Sequence, residues 1–179
     1  MQAAFLSDGD PWDDAPVLVV TSEERARRLA LERRVGVHMP DASRLRVEIS
    51  TDDGGGPFED VRCAGDRVFI GLGAALFVVD PRRRRAESFR LDAYFGHMAS
   101  PSDLGAPDPG AGLLVTSATE VLRFRPSGEL AWRARGLGVD GVVLHRIRDG
   151  VLHGDAEHDP PGGWRPFTLD FATGRRLSG

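Results

Sequence analysis

The chain repeats itself. Asp80, Arg125 and Asp170 stand 45 residues apart, and each closes an apolar run that enters a turn and then another run. Residues 76–81 (LFVVDP) and 121–126 (VLRFRP) align without a gap, and the runs before them, VFIGLG from Val68 and LLVTSA from Leu113, keep the same offset. A repeat of this length is one supersecondary unit that cannot bury its apolar face alone. The runs are short and rich in branched residues, and Gly, Pro and Asp sit at their ends, where turns need a preset or positive φ. They therefore read as antiparallel hairpins.

Three units follow from this pattern, over residues 58–91, 94–135 and 138–179, the last enlarged by the insertion DPPGGW. Before them, residues 15–20 (APVLVV), 35–38 and 44–50 read as strands. Thr21 and Glu24 form a capping box ahead of Ala26, Leu29 and Ala30 at helical spacing, which predicts one short helix near 22–34. The expected fold is mainly β, with antiparallel hairpin repeats arranged either as a propeller of few or incomplete blades or as an open β-sandwich. A single domain over 1–179 is expected, with a loose N-terminal segment at 1–14, a strand-helix-strand part at 15–57 and the hairpin repeats at 58–179. Expected core positions are Val68, Ile70, Phe77, Val79, Leu114, Phe124, Trp132, Val143, Phe167 and Leu169.

The phrases EVLRFRPSGELAWRA and RPFTLDFATGRRL resemble blades of quinoprotein-like and related β-propellers, in which a strand, an Asp or Pro, a Gly turn and a strand often ending in Trp recur. The resemblance covers residues 58–179 and implies that each unit is a four-stranded antiparallel blade. It implies a fold and carries no activity, because such hairpins occur in propellers of unrelated function.

All 23 basic residues are arginine, there is no lysine or asparagine, and the formal net charge is −4. The arginine bias is the mark of a GC-rich bacterial genome, and it removes Schiff-base lysine chemistry. An acidic total argues against a nucleic-acid ligand, whose affinity rests on phosphate neutralisation, and suits a basic protein partner. A lone cysteine, Cys63, forms no internal disulfide and no thiolate zinc cluster. No apolar run approaches the roughly 20 residues of a membrane helix, and the N-terminus lacks the features of a signal peptide. The expected setting is cytoplasmic, without membrane association.

The densest polar cluster is His153, Asp155, Glu157, His158 and Asp159, with His145 eight residues before it. On a strand His153, Asp155 and Glu157 share one face, so they could ligate a divalent metal; His158 falls on the other face and joins them only across a bend or bulge. The alternative is a charged edge entering a turn. Gly71-Leu72-Gly73 precedes a strand where a dinucleotide loop needs a helix, and reads as a hairpin turn. Arg82 to Arg85 form a strand-to-strand tip, either simply solvated or set against phosphate or an acidic partner. Trp164, beside Pro166 and Phe167, has the character of a partner anchor.

No nucleophile elbow, zincin motif or phosphate loop is present. These features point to a non-enzymatic bacterial interaction protein without a cofactor. It would present the 159–164 insertion, with Asp159, Trp164 and Arg165 as partner contacts, and the 101–112 loop. Neutralising a protein such as a toxin is one form of that role. The competing expectation is a metal-binding protein or metal-dependent hydrolase using His153, Asp155, Glu157 and His158.

Overall fold

The computed structural model describes residues 1–22, 33–51, 56–106 and 112–179. Among these, every regular element is a strand: β1 (Gln2–Phe5), β2 (Val17–Thr21), β3 (Arg33–His38), β4 (Arg44–Ser50), β5 (Glu59–Ala64), β6 (Arg67–Leu72), β7 (Ala75–Asp80), β8 (Arg85–Arg90), β9 (Phe95–Ala99), β10 (Leu113–Ser117), β11 (Val121–Phe124), β12 (Leu130–Ala134), β13 (Val142–Arg148), β14 (Val151–Glu157), β15 (Trp164–Asp170) and β16 (Arg176–Ser178). They form four four-stranded sheets, none closed on itself, a pattern compatible with a propeller-like β fold. The helix expected near 22–34 falls on residues 23–32, outside the described residues. Its last two positions, Arg33 and Arg34, lie in β3 instead, paired with Ile49 and Glu48 of β4.

Three of the sheets are consecutive meanders, β5 to β8, β9 to β12 and β13 to β16, and they coincide with the three repeats. The repeated residue ends the third strand at Asp80 and Asp170 and directly follows it at Arg125. Asp80 Oδ1 accepts the Arg83 N–H at 2.9 Å, and Asp170 Oδ1 accepts the Thr173 N–H at 2.8 Å, each closing a tight turn. Arg125 closes the equivalent turn through its backbone, its carbonyl accepting the Gly128 N–H. The fourth sheet, ordered β1-β3-β4-β2, departs from the meander because β2 pairs parallel to β4.

The chain divides into two compact units, Met1–Leu91 and Asp92–Gly179. In the first, Val35, Val37, Leu45, Val47 and Ile49 of one sheet meet Val68, Ile70, Phe77 and Val79 of the other. In the second, Leu114, Val121 and Trp132 meet Leu144, Leu152, Phe167 and Leu169. Alternation along each strand delivers these side chains to one face. Nine of the ten expected core positions are buried; Val143 is 39% exposed. In the run Val142-Val143-Leu144 either phase of alternation fills the core, and the chain buries Val142 and Leu144.

Within residues 1–14 the chain makes specific contacts with β3 and β4. Gln2–Phe5 pairs antiparallel with β3. Trp12 is buried against Gly36 so closely that a methyl group there would stand 2.5 Å from its ring. Arg44 lies 5.2 Å from the ring centroid and holds the Asp14 carboxylate at 2.6 and 2.7 Å. Hairpin turns replace a dinucleotide loop at Gly73, whose φ of 58° serves the β6–β7 connection.

Candidate functional site

The polar cluster and the insertion belong to the β13–β16 sheet. Leu152 and Ala156 of β14 enter the core, so the alternate residues His153, Asp155 and Glu157 lie on the outer face. The register places Asp155 opposite Val143 and Glu157 opposite Trp164. Alternation after buried Leu144 puts His145, at the bulge before Arg146, on this face, where its Nε2 stands 2.9 Å from Asp155 Oδ2. Both side chains are more than a third exposed, 49% and 38%. Such a surface pair contributes about 0–1 kcal/mol.

Glu157 is not poised for a ligand. It is 8% exposed, and its Oε1 accepts the Gly162 N–H at 2.5 Å, tying the insertion to the end of β14. Two backbone bonds finish the loop, from His158 N–H to the Gly163 carbonyl and from Gly163 N–H to the Asp159 carbonyl. His158 thus caps the loop through its backbone. Among the described residues no three His, Cys, Asp or Glu side chains gather in the geometry of a metal centre.

Trp164 opens β15 and is 43% exposed. Its indole crosses the sheet to cover Gly141, where a methyl group would stand 2.7 Å from the ring. The ring thus packs on the Gly141 backbone while much of the residue stays exposed. Two further apolar side chains are exposed on the adjoining chain, Val139 at 56% and Val143 at 39%. The 138–141 approach is itself anchored: Val139 N–H donates to the Glu157 carbonyl at 2.7 Å, and Tyr94 Oη donates to the Asp140 carbonyl at 2.7 Å. Partial burial, with the Asp140 contact, pushes the Tyr94 phenol above its ordinary range and keeps it a neutral donor. Asp159 and Arg165 are exposed; Arg165, paired with core Ala156, lies on the other face of the strand from Trp164.

Sequence reasoning selected Trp164, Asp159 and Arg165, and the fold brings them to one end of the sheet. It passed over Val139, Gly141 and Val143, since isolated valines and a glycine carry no local signal until β13 is set beside β14. The other expected loop, 101–112, is described up to residue 106, and there Leu104 is buried in the core while its carbonyl accepts the Ile147 N–H at 2.7 Å. Cys63 lies opposite core Val68 on edge strand β5, where it is exposed. Desolvation of the sulfur pushes its thiol up, away from a reactive thiolate.

No protein-family model matches the chain, and no curated protein matches it.

Proposed function

We propose that this is a non-enzymatic bacterial interaction protein that grips a protein partner with the outer face of β13–β16 and the 158–163 insertion. The observation that carries the reading is Trp164: a large aromatic ring packed on Gly141 yet 43% exposed, with the exposed side chains of Val139 and Val143 on the segment that Gly141 belongs to. A fixed aromatic anchor with a polar rim is the composition of a binding hot spot, because little side-chain freedom is lost when the ring is covered. Asp155, Asp159 and Asp140 give the rim an acidic bias suited to a basic partner, and neutralising a toxin-like protein is one role of that form.

The test is affinity capture from the source bacterium with wild-type, Trp164→Ala and Asp159→Arg proteins in parallel. A stoichiometric protein retained by the wild type and lost from both variants supports the reading. Absence of such a protein, or equal retention by all three, contradicts it.

A further inference from the structure

We propose that the free edge of β2, together with the arginine tip between β7 and β8, is a docking site for an extended acidic peptide segment, which would add to the sheet as a further strand. The site belongs to the Met1–Leu91 unit, and the inference does not depend on the reading of the β13–β16 face.

The eight sheet edges differ in how they are protected. β8 carries Arg85, Glu87 and Arg90, and β5 carries Glu59, Asp60 and Arg62. β13 is bulged and carries Arg146 and Arg148, β12 is irregular in register and carries Arg133, and β16 has three residues. β1 has four residues, and β9 includes Gly96 and is largely buried. Charges, bulges, short length and coverage are the ordinary devices that stop an edge from recruiting another strand. Among the described residues no charge or bulge protects β2 over Val17–Val20. Its five residues, VLVVT, are uncharged and favour β structure, and Val17 and Val19 are 42% and 64% exposed.

The backbone of β2 is aligned for pairing. The Pro16 carbonyl accepts the Arg46 N–H, so by the two-residue period Leu18 and Val20 also turn their polar groups to β4. Val17 and Val19 therefore direct theirs outward. Beside this edge is a groove of about 410 Å³, lined by Val19, Val20, Phe77, Arg84, Ala86 and Ser88. Its neighbour, about 470 Å³, is lined by Arg44, Asp41, Pro81, Arg82 and Arg84. An added strand would find hydrogen-bonding partners at Val17 and Val19, whose side chains are exposed.

The tip selects the charge. Arg84 lines both grooves and is held with φ at 50°, an uncommon backbone for a side-chain-bearing residue. Among the described residues Arg83 reaches Asp80 at 3.7 Å, whereas Arg84 and Arg85 have no carboxylate within ion-pair distance. Guanidinium groups beside an uncharged edge fit carboxylates, which they bind in a planar, paired geometry. A second copy of this chain is a poorer fit, because its β2 brings no acidic side chain of its own. Peptide addition to a sheet edge obtains affinity from the main chain and specificity from flanking side chains.

Fluorescence anisotropy of the full chain with a labelled peptide alternating glutamate with valine, and with its lysine counterpart, tests this. Saturable binding of the glutamate peptide alone is expected, weakened about tenfold or more by Val19→Pro and by the Arg84→Glu, Arg85→Glu double variant. Proline at position 19 removes an outward donor and spares the ladder to β4. Val19→Lys charges the edge without touching the backbone and is a second block, with thermal melting as the check on folding. The inference is overturned if the glutamate peptide does not saturate below about 1 mM, if the lysine peptide binds equally, or if the variants bind like the wild type. A concentration-dependent dimer that Val19→Pro abolishes would also overturn it, assigning the edge to a second copy.

Discussion

Glu120 is fully buried, and its oxygens accept from Asp92 N–H at 2.8 Å, Arg133 Nη2 at 2.8 Å and Arg133 Nε at 2.6 Å. Desolvation opposes the charge on Arg133, but the hydrogen bonds and charge of Glu120 and the charge of Asp92 outweigh it, so the guanidinium is held charged more firmly than usual. Removing one member of such a pair strands the other. Arg133→Met is expected to cost about 3–5 kcal/mol in urea denaturation, far more than truncating the exposed Arg165. A second residue-scale prediction concerns acid. Hydrogen bonds from Thr173 hold Asp170 below the ordinary carboxylate range, and those from Ser43 do the same for Asp41. A depressed folded-state value means their contribution is complete above the ordinary range and is lost as pH falls through the lower one. Thr173→Ala should therefore lower the melting temperature at neutral pH and have a smaller effect at strongly acidic pH. None of the Glu120 network was legible in the sequence, because Glu120 and Arg133 meet only when β11 pairs with β12.

At the scale of elements, Glu157 is the pin of the insertion. Glu157→Ala removes the acceptor of the Gly162 N–H, which water can then reach, so a loss of about 0.5–1.5 kcal/mol is expected, with faster amide exchange over residues 158–163 while β14 and β15 stay protected. Gly141→Val pushes a side chain into the indole of Trp164 and should change its fluorescence with little effect on the sheet. The three meanders were legible because the turn after each third strand repeats its chemistry at Asp80, Arg125 and Asp170. β1 was not, since a four-residue strand without alternation has no period to detect. Val143 was misplaced because two adjacent valines fit either phase until the bulge at His145 sets it. The candidate site was legible in part: Trp164 stood out as part of an insertion that breaks the repeat, whereas the Glu157 bond to the Gly162 N–H depends on how the insertion folds back and has no local signal.

For the whole molecule, the described residues account for sixteen strands and no helix long and apolar enough to cross a membrane. Far-ultraviolet circular dichroism should show helix well below the ordinary globular share of about a third. Charge is divided along the chain, with 13 acids against seven arginines in residues 1–60 and 14 against 16 in the remainder. The central claim is that the β13–β16 face meets a protein in the cell. Photo-cross-linking in the source bacterium, with a photoreactive phenylalanine placed in turn at Asp159, Arg165 and Arg148, tests it most directly. One discrete adduct from positions 159 and 165, absent in a Trp164→Ala background, is the expected result. No adduct from either position, or the same adducts with and without Trp164, would contradict the account.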